Sequence, residues 1–303
     1  MPAQTKTVSI QGIWKNSFME EKVYKLGLIG YPLGHSLSPV LYKAAFEGLG
    51  LKYSYELLPT RSEDLIDRIK RLRTGGYYGF NVTIPHKVPV AMFLTKYDEY
   101  VNMVGAVNTI KIEEDLSLSG YNTDVAGFMA PLKEYDLEGK KAAVLGTGGA
   151  SRAVCAGLYK LGIKEIDIYT RNVINSKETI EIMRAGFEGV KVNAVQNSLM
   201  KSFEDADILV NTTPVGMKNF DEDNSPIDEK MFETMNENII IYDIVYNPLK
   251  TQLIRSAIRY NKKYICGLDM LVHQAACAFE IWTGQKPDWE SMKIKALEEY
   301  LMK

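Results

Sequence analysis

Gly146-Thr147-Gly148-Gly149-Ala150-Ser151 is the stretch whose residue types point most directly to chemistry. It follows an apolar run at 142–145 that reads as a buried strand, and it opens a helical pattern over 150–161. A small residue at Gly146 permits a tight turn, and one at Gly148 lets the backbone approach a pyrophosphate. The first turn of the helix then presents unpaired N–H groups and its positive dipole end to that anion. Ser151 stands at the third-glycine position and is small enough for close helix–strand packing. The strand–loop–helix setting favours a dinucleotide site over a mere tight turn. The second strand of this unit ends in Thr170-Arg171-Asn172, without the carboxylate that usually takes the ribose hydroxyls of NAD. Arg171 offers a fork of donors suited to a 2′-phosphate, so NADP is favoured. An arginine solvated after a strand, with NAD as cofactor, is the alternative.

A second constellation lies in four segments rich in glycine and small polar residues, each at the end of an expected strand. They are Gly34-His35-Ser36-Leu37-Ser38-Pro39, Asn81-Val82-Thr83-Ile84-Pro85-His86-Lys87, Gly105-Ala106-Val107-Asn108-Thr109 and Gly120-Tyr121-Asn122-Thr123-Asp124. Pro39 suits a first helical position and Ser38 its N-cap. A carboxylate could accept bonds from Ser36, Ser38 and that helix start together; Ser38 acting only as a cap is the plainer reading. Taken singly, Lys87 reads as a surface lysine, Asn108 as a turn residue and Asp124 as a helix cap. Together they are the side chains that recognition of ring hydroxyls requires.

Hydride transfer from an alcohol needs a group to take the hydroxyl proton. The chain has neither a cysteine cluster nor a His-x-x-x-His pair for a catalytic zinc, and no Tyr-x-x-x-Lys pair where a short-chain dehydrogenase would carry one. His35, His86 and His273 are its three histidines, and each reads as structural. Lysine is a workable proton carrier when burial and a nearby carboxylate tune it in opposite directions.

The elements that must hold these residues form an α/β pattern. At 303 residues the chain has room for two domains. From residue 25 short apolar runs alternate with helical patterns, as in a parallel sheet covered by helices. Strands are expected at 25–30, 53–58, 79–82, 106–112 and 118–121, the last two flanking a hairpin turn at 113–115. Helices are expected from about Pro39 and over 62–73. A second series, with strands at 142–145, 165–170, 191–195, 208–211 and 239–243, reads as a doubly wound nucleotide-binding sheet. The expected division is an extension at 1–24, a substrate domain of 25–124 plus 268–303, and a nucleotide domain of 125–267. Helices near 268–283 and 289–302 would return to the first domain. A formal net charge of -2 gives no field for nucleic acid or acidic membranes. No apolar run reaches the roughly 18 residues of a membrane span. Three dispersed cysteines suit a reducing compartment, so a cytoplasmic protein is expected.

The chain resembles the shikimate dehydrogenase family from Lys25 to Met302. The likeness is carried by Ser36-Leu37-Ser38-Pro39, the Asn81–Lys87 and Ala106–Thr109 segments, Asn122-Thr123-Asp124 and Gly146–Arg152. Asp243-Ile244-Val245-Tyr246-Asn247-Pro248 and Gly267-Leu268-Asp269-Met270-Leu271-Val272-His273-Gln274 complete it. The resemblance implies a reversible, NADP-dependent reduction of 3-dehydroshikimate to shikimate, in aromatic amino acid biosynthesis. It implies that Ser36 and Ser38 hold the substrate carboxylate, that Thr83, Asn108 and Gln274 bond ring hydroxyls, and that Tyr246 closes the pocket. Lys87 would be the acid/base, with Asp124 positioning it. Gly146, Gly148, Gly149 and Ala150 would lie under the pyrophosphate, with Arg171 and Arg152 at the adenosine phosphate. Ser151, Thr170, Asn172, Thr212 and Gly267 complete the cofactor set. Thr170-Arg171-Asn172 stands where NADP-specific members usually show Asn-Arg-Thr. Val215-Gly216-Met217-Lys218 and Trp282-Thr283-Gly284 resemble the quinate/shikimate branch, whose members take quinate and either nicotinamide. A third reading, a ligand sensor of this fold without turnover, would be expected to lack the Lys87 and Asp124 pair. A monomer or a homodimer fits equally.

Overall fold

The computed structural model describes residues 23–34, 36–200 and 202–302. His35 and residues 1–22 of the expected extension therefore lie outside the described residues. Val23 and Tyr24, placed in that extension by the sequence reading, instead begin the first strand. Tyr24 is buried against Phe46 and Tyr78, and this burial draws it into the sheet.

The first half runs β1 (Val23–Gly30), α1 (Ser38–Gly48), β2 (Lys52–Pro59), α2 (Leu65–Thr74), β3 (Gly79–Val82), β4 (Lys96–Tyr97), α3 (Glu99–Val104), β5 (Thr109–Ile112), β6 (Leu118–Tyr121) and α4 (Thr123–Met129). Its strands make a mixed sheet in the order β2-β1-β3-β5-β6-β4. Helical crossovers make β1 parallel to β2 and β3, while the β5–β6 hairpin is antiparallel. The strand expected over 106–112 begins only at Thr109, because the Val107 N–H leaves the ladder to bond Lys87 O at 2.7 Å.

The second half runs β7 (Lys141–Leu145), α5 (Gly149–Lys160), β8 (Glu165–Thr170), α6 (Lys177–Gly186), β9 (Lys191–Gln196), β10 (Ile208–Asn211), β11 (Ile240–Asp243), α7 (Gln252–Arg259), β12 (Lys263–Cys266), α8 (Gly267–Thr283) and α9 (Trp289–Met302). All six strands are parallel, in the order β12-β11-β10-β7-β8-β9. Their alternate residues feed two cores: Ala142 and Val144 of β7 enter one, Ala143 and Leu145 the other. The winding reverses between β7 and β10, and ligands of such sheets bind at the carboxyl ends of the strands beside that reversal. This is the α/β fold of two units that the sequence pattern implied.

Helices α8 and α9 return to the first unit, with Val272, Ala275, Phe279, Trp282 and Met292 buried in the core under α1. The Trp282 indole N–H donates to Ile110 O at 3.0 Å. Helix α4 lies against both α5 and α8, and two glycines make the approach possible. A Cβ on Gly157 of α5 would stand 2.6 Å from Phe128, and one on Gly127 of α4 would stand 2.8 Å from Met270 O.

Candidate active site

Lys87 and Asp124 come together from the carboxyl ends of β3 and β6, which run the same way in the first sheet with β5 between them. Lys87 follows β3, Asp124 lies in the first turn of α4, and Lys87 Nζ donates to Asp124 Oδ2 at 2.5 Å. Their side chains are 18% and 9% exposed, so the pair is shielded yet reachable from one side. The other Asp124 oxygen, Oδ1, accepts from Asn108 Nδ2 at 2.8 Å. Asn108 is itself fixed: its Oδ1 accepts from Thr123 N at 2.8 Å, and its Nδ2 also approaches Thr123 Oγ1 at 2.9 Å and Gln274 Oε1 at 3.4 Å. Gln274 Nε2 donates to Leu271 O within α8. Three expected site residues, Asn108, Asp124 and Gln274, are thus joined by hydrogen bonds.

Ser36 and Ser38 stand at the start of α1, but not in the expected arrangement. Leu37 is the N-cap and makes no side-chain cap bond; Ser38 is the first helical residue. Ser36 Oγ instead accepts from Ser38 N at 3.2 Å. The cap reading of Ser38 is therefore corrected, because Pro39 occupies the second helical position rather than the first. Ser38 sits beside Tyr55, whose hydroxyl is pushed up by burial and drawn the other way by the serine. Tyr55 donates to Asn81 Oδ1 at 2.8 Å, and Asn81 Nδ2 donates to Thr109 Oγ1 at 3.1 Å and Asn108 O at 3.3 Å. Tyr55 and Asn81 were not singled out as site residues. A polar Asn81 inside the otherwise apolar strand Gly79-Phe80-Asn81-Val82 was the available signal. Thr83 follows that strand, and its methyl closes on Gly30, where a Cβ would meet it at 2.3 Å. Tyr246 lies in the turn after β11, against the α1/α8 core, and burial pushes its hydroxyl up. His86 is buried, with Nε2 2.7 Å from Thr60 O, and the His273 ring packs at a tilt against Trp289; both placements are structural.

The glycine loop lies at the β7/β10 reversal. Gly146 has φ +105°, a backbone shape that side chains disfavour, and a Cβ there would also meet Thr212 Oγ1 at 2.8 Å. Thr212 donates its hydroxyl to Leu145 O at 2.6 Å and so ties the two strand ends together. Gly148 is the N-cap of α5 and has no heavy atom within 4 Å of where a Cβ would stand, which leaves room for an anion. A Cβ on Gly149 would lie 3.7 Å from Lys87 Cβ, so the loop adjoins the Lys87–Asp124 pair. Ala150 follows in the first turn of α5. Ser151 is fully buried, in keeping with the packing role of a third small residue. At the end of β8, Thr170 Oγ1 pairs with Ser176 Oγ at 2.9 Å, while Arg171 and Asn172 are exposed. Gly267 opens α8 close to Ile244 O, which a Cβ would meet at 2.3 Å. The Arg152 guanidinium is engaged within the protein: it donates to Val104 O at 3.2 Å and Thr179 Oγ1 at 2.9 Å.

Asp243 ends β11 beside Asn211, the last residue of β10. Fully buried at the end of β11, it accepts from Asn211 Nδ2 at 2.9 Å, Val245 N at 3.0 Å and Thr251 Oγ1 at 2.6 Å. Burial nevertheless pushes its carboxyl up to about 6, the three hydrogen bonds only partly offsetting that.

Residues 28–110 match the family described as the shikimate dehydrogenase substrate binding domain, and residues 267–293 the shikimate 5′-dehydrogenase C-terminal domain. A shikimate dehydrogenase (NADP(+)) of Caldanaerobacter subterraneus subsp. tengcongensis is 41% identical over 261 residues, 86% of this chain and 91% of that protein. The chain belongs to the shikimate dehydrogenase family. Among solved structures, a shikimate dehydrogenase of that family in complex with NADP+ matches with a TM-score of 0.83 at 37% identity, covering 92% of this chain and 96% of the other. A quinate dehydrogenase from Corynebacterium glutamicum in complex with NAD gives the same TM-score of 0.83 at 27% identity, covering 91% and 99%. The two-sheet family fold and the sequence motifs therefore agree.

Proposed function

We propose that the chain is an NADP-dependent oxidoreductase interconverting shikimate and 3-dehydroshikimate, with Lys87 and Asp124 as the acid/base pair. The observation that carries this reading is the 2.5 Å contact of Lys87 Nζ with Asp124 Oδ2, largely shielded from water and bordered by Gly149 of the cofactor loop. When bound, the nicotinamide supplies or accepts the hydride. The chain's own residues manage the proton and the position of the ring. Lys87 Nζ gives a proton to the carbonyl oxygen during reduction and takes it from the hydroxyl during oxidation. Asp124 holds the amine through one oxygen and is itself held by Asn108 through the other. Asn108, Gln274 and Thr83 bond the ring hydroxyls; Ser36 and Ser38 take the carboxylate, with Tyr246 closing over it.

The pyrophosphate rests on Gly146, Gly148, Gly149 and Ala150 at the start of α5, where the backbone offers free N–H groups. Arg171, exposed at the end of β8, faces the 2′-phosphate, with Thr170 and Asn172 shaping that turn. Arg152 is left out of the phosphate site, because its two terminal nitrogens already donate to Val104 O and Thr179 Oγ1. Residues 25–124, extended back to Val23, together with 268–303 form the substrate domain, and 125–267 the cofactor domain. The equal TM-score of the quinate dehydrogenase supports a second reading, in which the chain also accepts quinate and NAD. Three dispersed cysteines that form no disulfide fit a cytoplasmic enzyme. Among the described residues no helix is long and apolar enough to cross a membrane. Steady-state rates with shikimate and quinate, each with NADP and NAD, test the reading. Turnover of shikimate with NADP is expected, and inertness with every pair would refute it.

A further inference from the structure

We propose that helix α3 is a strut carrying the position of the cofactor helix α5 to the Lys87–Asp124 pair, with Arg152 and Asp98 as positioning residues at its two ends. The inference rests on the reading of Lys87 and Asp124 given above. At one end, Arg152 of α5 donates to Val104 O, the last carbonyl of α3, and to Thr179 Oγ1 of α6. At the other end, Asp98 caps α3 by accepting from Val101 N at 2.7 Å through Oδ1. Its second oxygen accepts from Asn122 N at 3.2 Å, two residues before Asp124.

The segment that follows α3 repeats the link. Gly105 ends the helix in the left-handed conformation, φ +64°. Ala106 O then accepts from Asn122 Nδ2 at 2.8 Å, Val107 N donates to Lys87 O at 2.7 Å, and Asn108 Nδ2 donates to Asp124 Oδ1. Residues 98–108 thus grip both members of the pair through main chain and side chain. The strut also belongs to both cores: Val101 is buried with the first sheet and Val104 with the second. A second tie to α5 runs from Glu99 to Lys160 at 3.0 Å. Because α5 begins at the cofactor loop, a shift of that helix reaches the acid/base pair through a short, hydrogen-bonded path rather than through a flexible loop.

The test is Arg152→Gln, Asp98→Asn and the double variant in the full chain. Arg152→Gln removes the charge that reaches Val104 O, and Asp98→Asn leaves one of two N–H groups without an acceptor. Each single variant is expected to lower kcat by roughly five- to fiftyfold while both Michaelis constants stay within about twofold. The double variant should lose less than the product of the two single losses, since both loosen one strut. Hydrogen exchange without substrate should quicken at the Asn122–Asp124 turn in Arg152→Gln, a readout that stands even if wild type fails to turn over shikimate. If Arg152→Gln does not fold, Arg152→Lys, which retains charge but not the fork, takes its place. A rise confined to the NADP Michaelis constant would make Arg152 a phosphate ligand and overturn the strut. A lowered melting temperature with unchanged kcat, multiplicative losses, or unchanged exchange at the turn would overturn it equally.

Discussion

Gly127→Ala puts a methyl where α4 crosses α8. That Cβ would lie 2.8 Å from Met270 O, 2.8 Å from Gln274 Cβ and 2.9 Å from Gln274 N, and two of these atoms are backbone that cannot rotate away. Comfortable carbon contacts begin near 3.5 Å, so the helices must part by roughly 0.6–1 Å. Asp124 sits one turn before Gly127 on the same helix, while Gln274 is the α8 residue opposite. The separation therefore pulls Asp124 and Asn108 away from Gln274 and displaces the carboxylate that holds Lys87. A misplacement of about 1 Å costs up to about a hundredfold in rate, and kcat should fall by roughly ten- to a hundredfold. Overpacking of this kind costs about 1–3 kcal/mol. At about 2–4 °C per kcal/mol, the melting temperature should drop by several degrees. Steady-state kinetics with shikimate and NADP beside a calorimetric melt read both effects. Wild-type turnover in a variant whose melting temperature has fallen would refute the claim that this crossing sets the position of Asp124.

Ser36→Ala and Ser38→Ala should each raise the Michaelis constant for the acid about tenfold or more with little change in kcat, a bond to a charged group being worth ~1.5–3 kcal/mol. Because Leu37 rather than Ser38 is the cap, thermal melts of Ser38→Ala should lack the ~1 kcal/mol loss of a removed cap; unchanged Michaelis constants would remove both serines from the carboxylate site. Arg171→Asp should move preference toward NAD by at least about tenfold, since it exchanges a phosphate-pairing cation for a repelling carboxylate. An unchanged ratio of catalytic efficiencies for NADP and NAD would mean that Arg171 faces solvent only. Asp243 should titrate near 6 by carbon NMR of its carboxyl, against an ordinary value of 3.8. Its raised value means that the folded state holds the proton more tightly. Its contribution to stability is complete below about 3.8 and is lost, to the extent of roughly 3 kcal/mol, as pH rises to about 6. Titration at the ordinary value would show that its three hydrogen bonds offset burial in full.

The parts of the site that were legible in the sequence are those whose requirement is local. Gly146 and Gly148 announce themselves because a tight turn and a close anion need an absent side chain, and the flanking strand and helix were found within a residue or two. Lys87 and Asp124 were legible as chemistry but not as a contact: they stand 37 positions apart, and the segment between them folds through β4, α3 and the β5–β6 hairpin before the pair meets. Helix α3 went unseen because six residues carry too little periodicity, although Asp98 three residues before Val101 was an available cap signal. Arg152 stands among the phosphate residues on the family resemblance alone, and its bond to Val104 O is not legible without α3. Ser38 shows the limit of boundary reading: a shift of one position turned an expected cap into a first-turn residue that borders Tyr55.

The most direct test of the central claim is the single-turnover rate of Lys87→Ala with saturating shikimate and NADP, measured beside equilibrium binding of both. In the proposed mechanism Lys87 meets the reacting oxygen but not the carboxylate, so the hydride step should slow by roughly two to four orders of magnitude. The dissociation constants should change only a few-fold, because the remaining hydroxyl and carboxylate contacts persist. Near wild-type hydride transfer in that variant would contradict the account, whatever the other substitutions show.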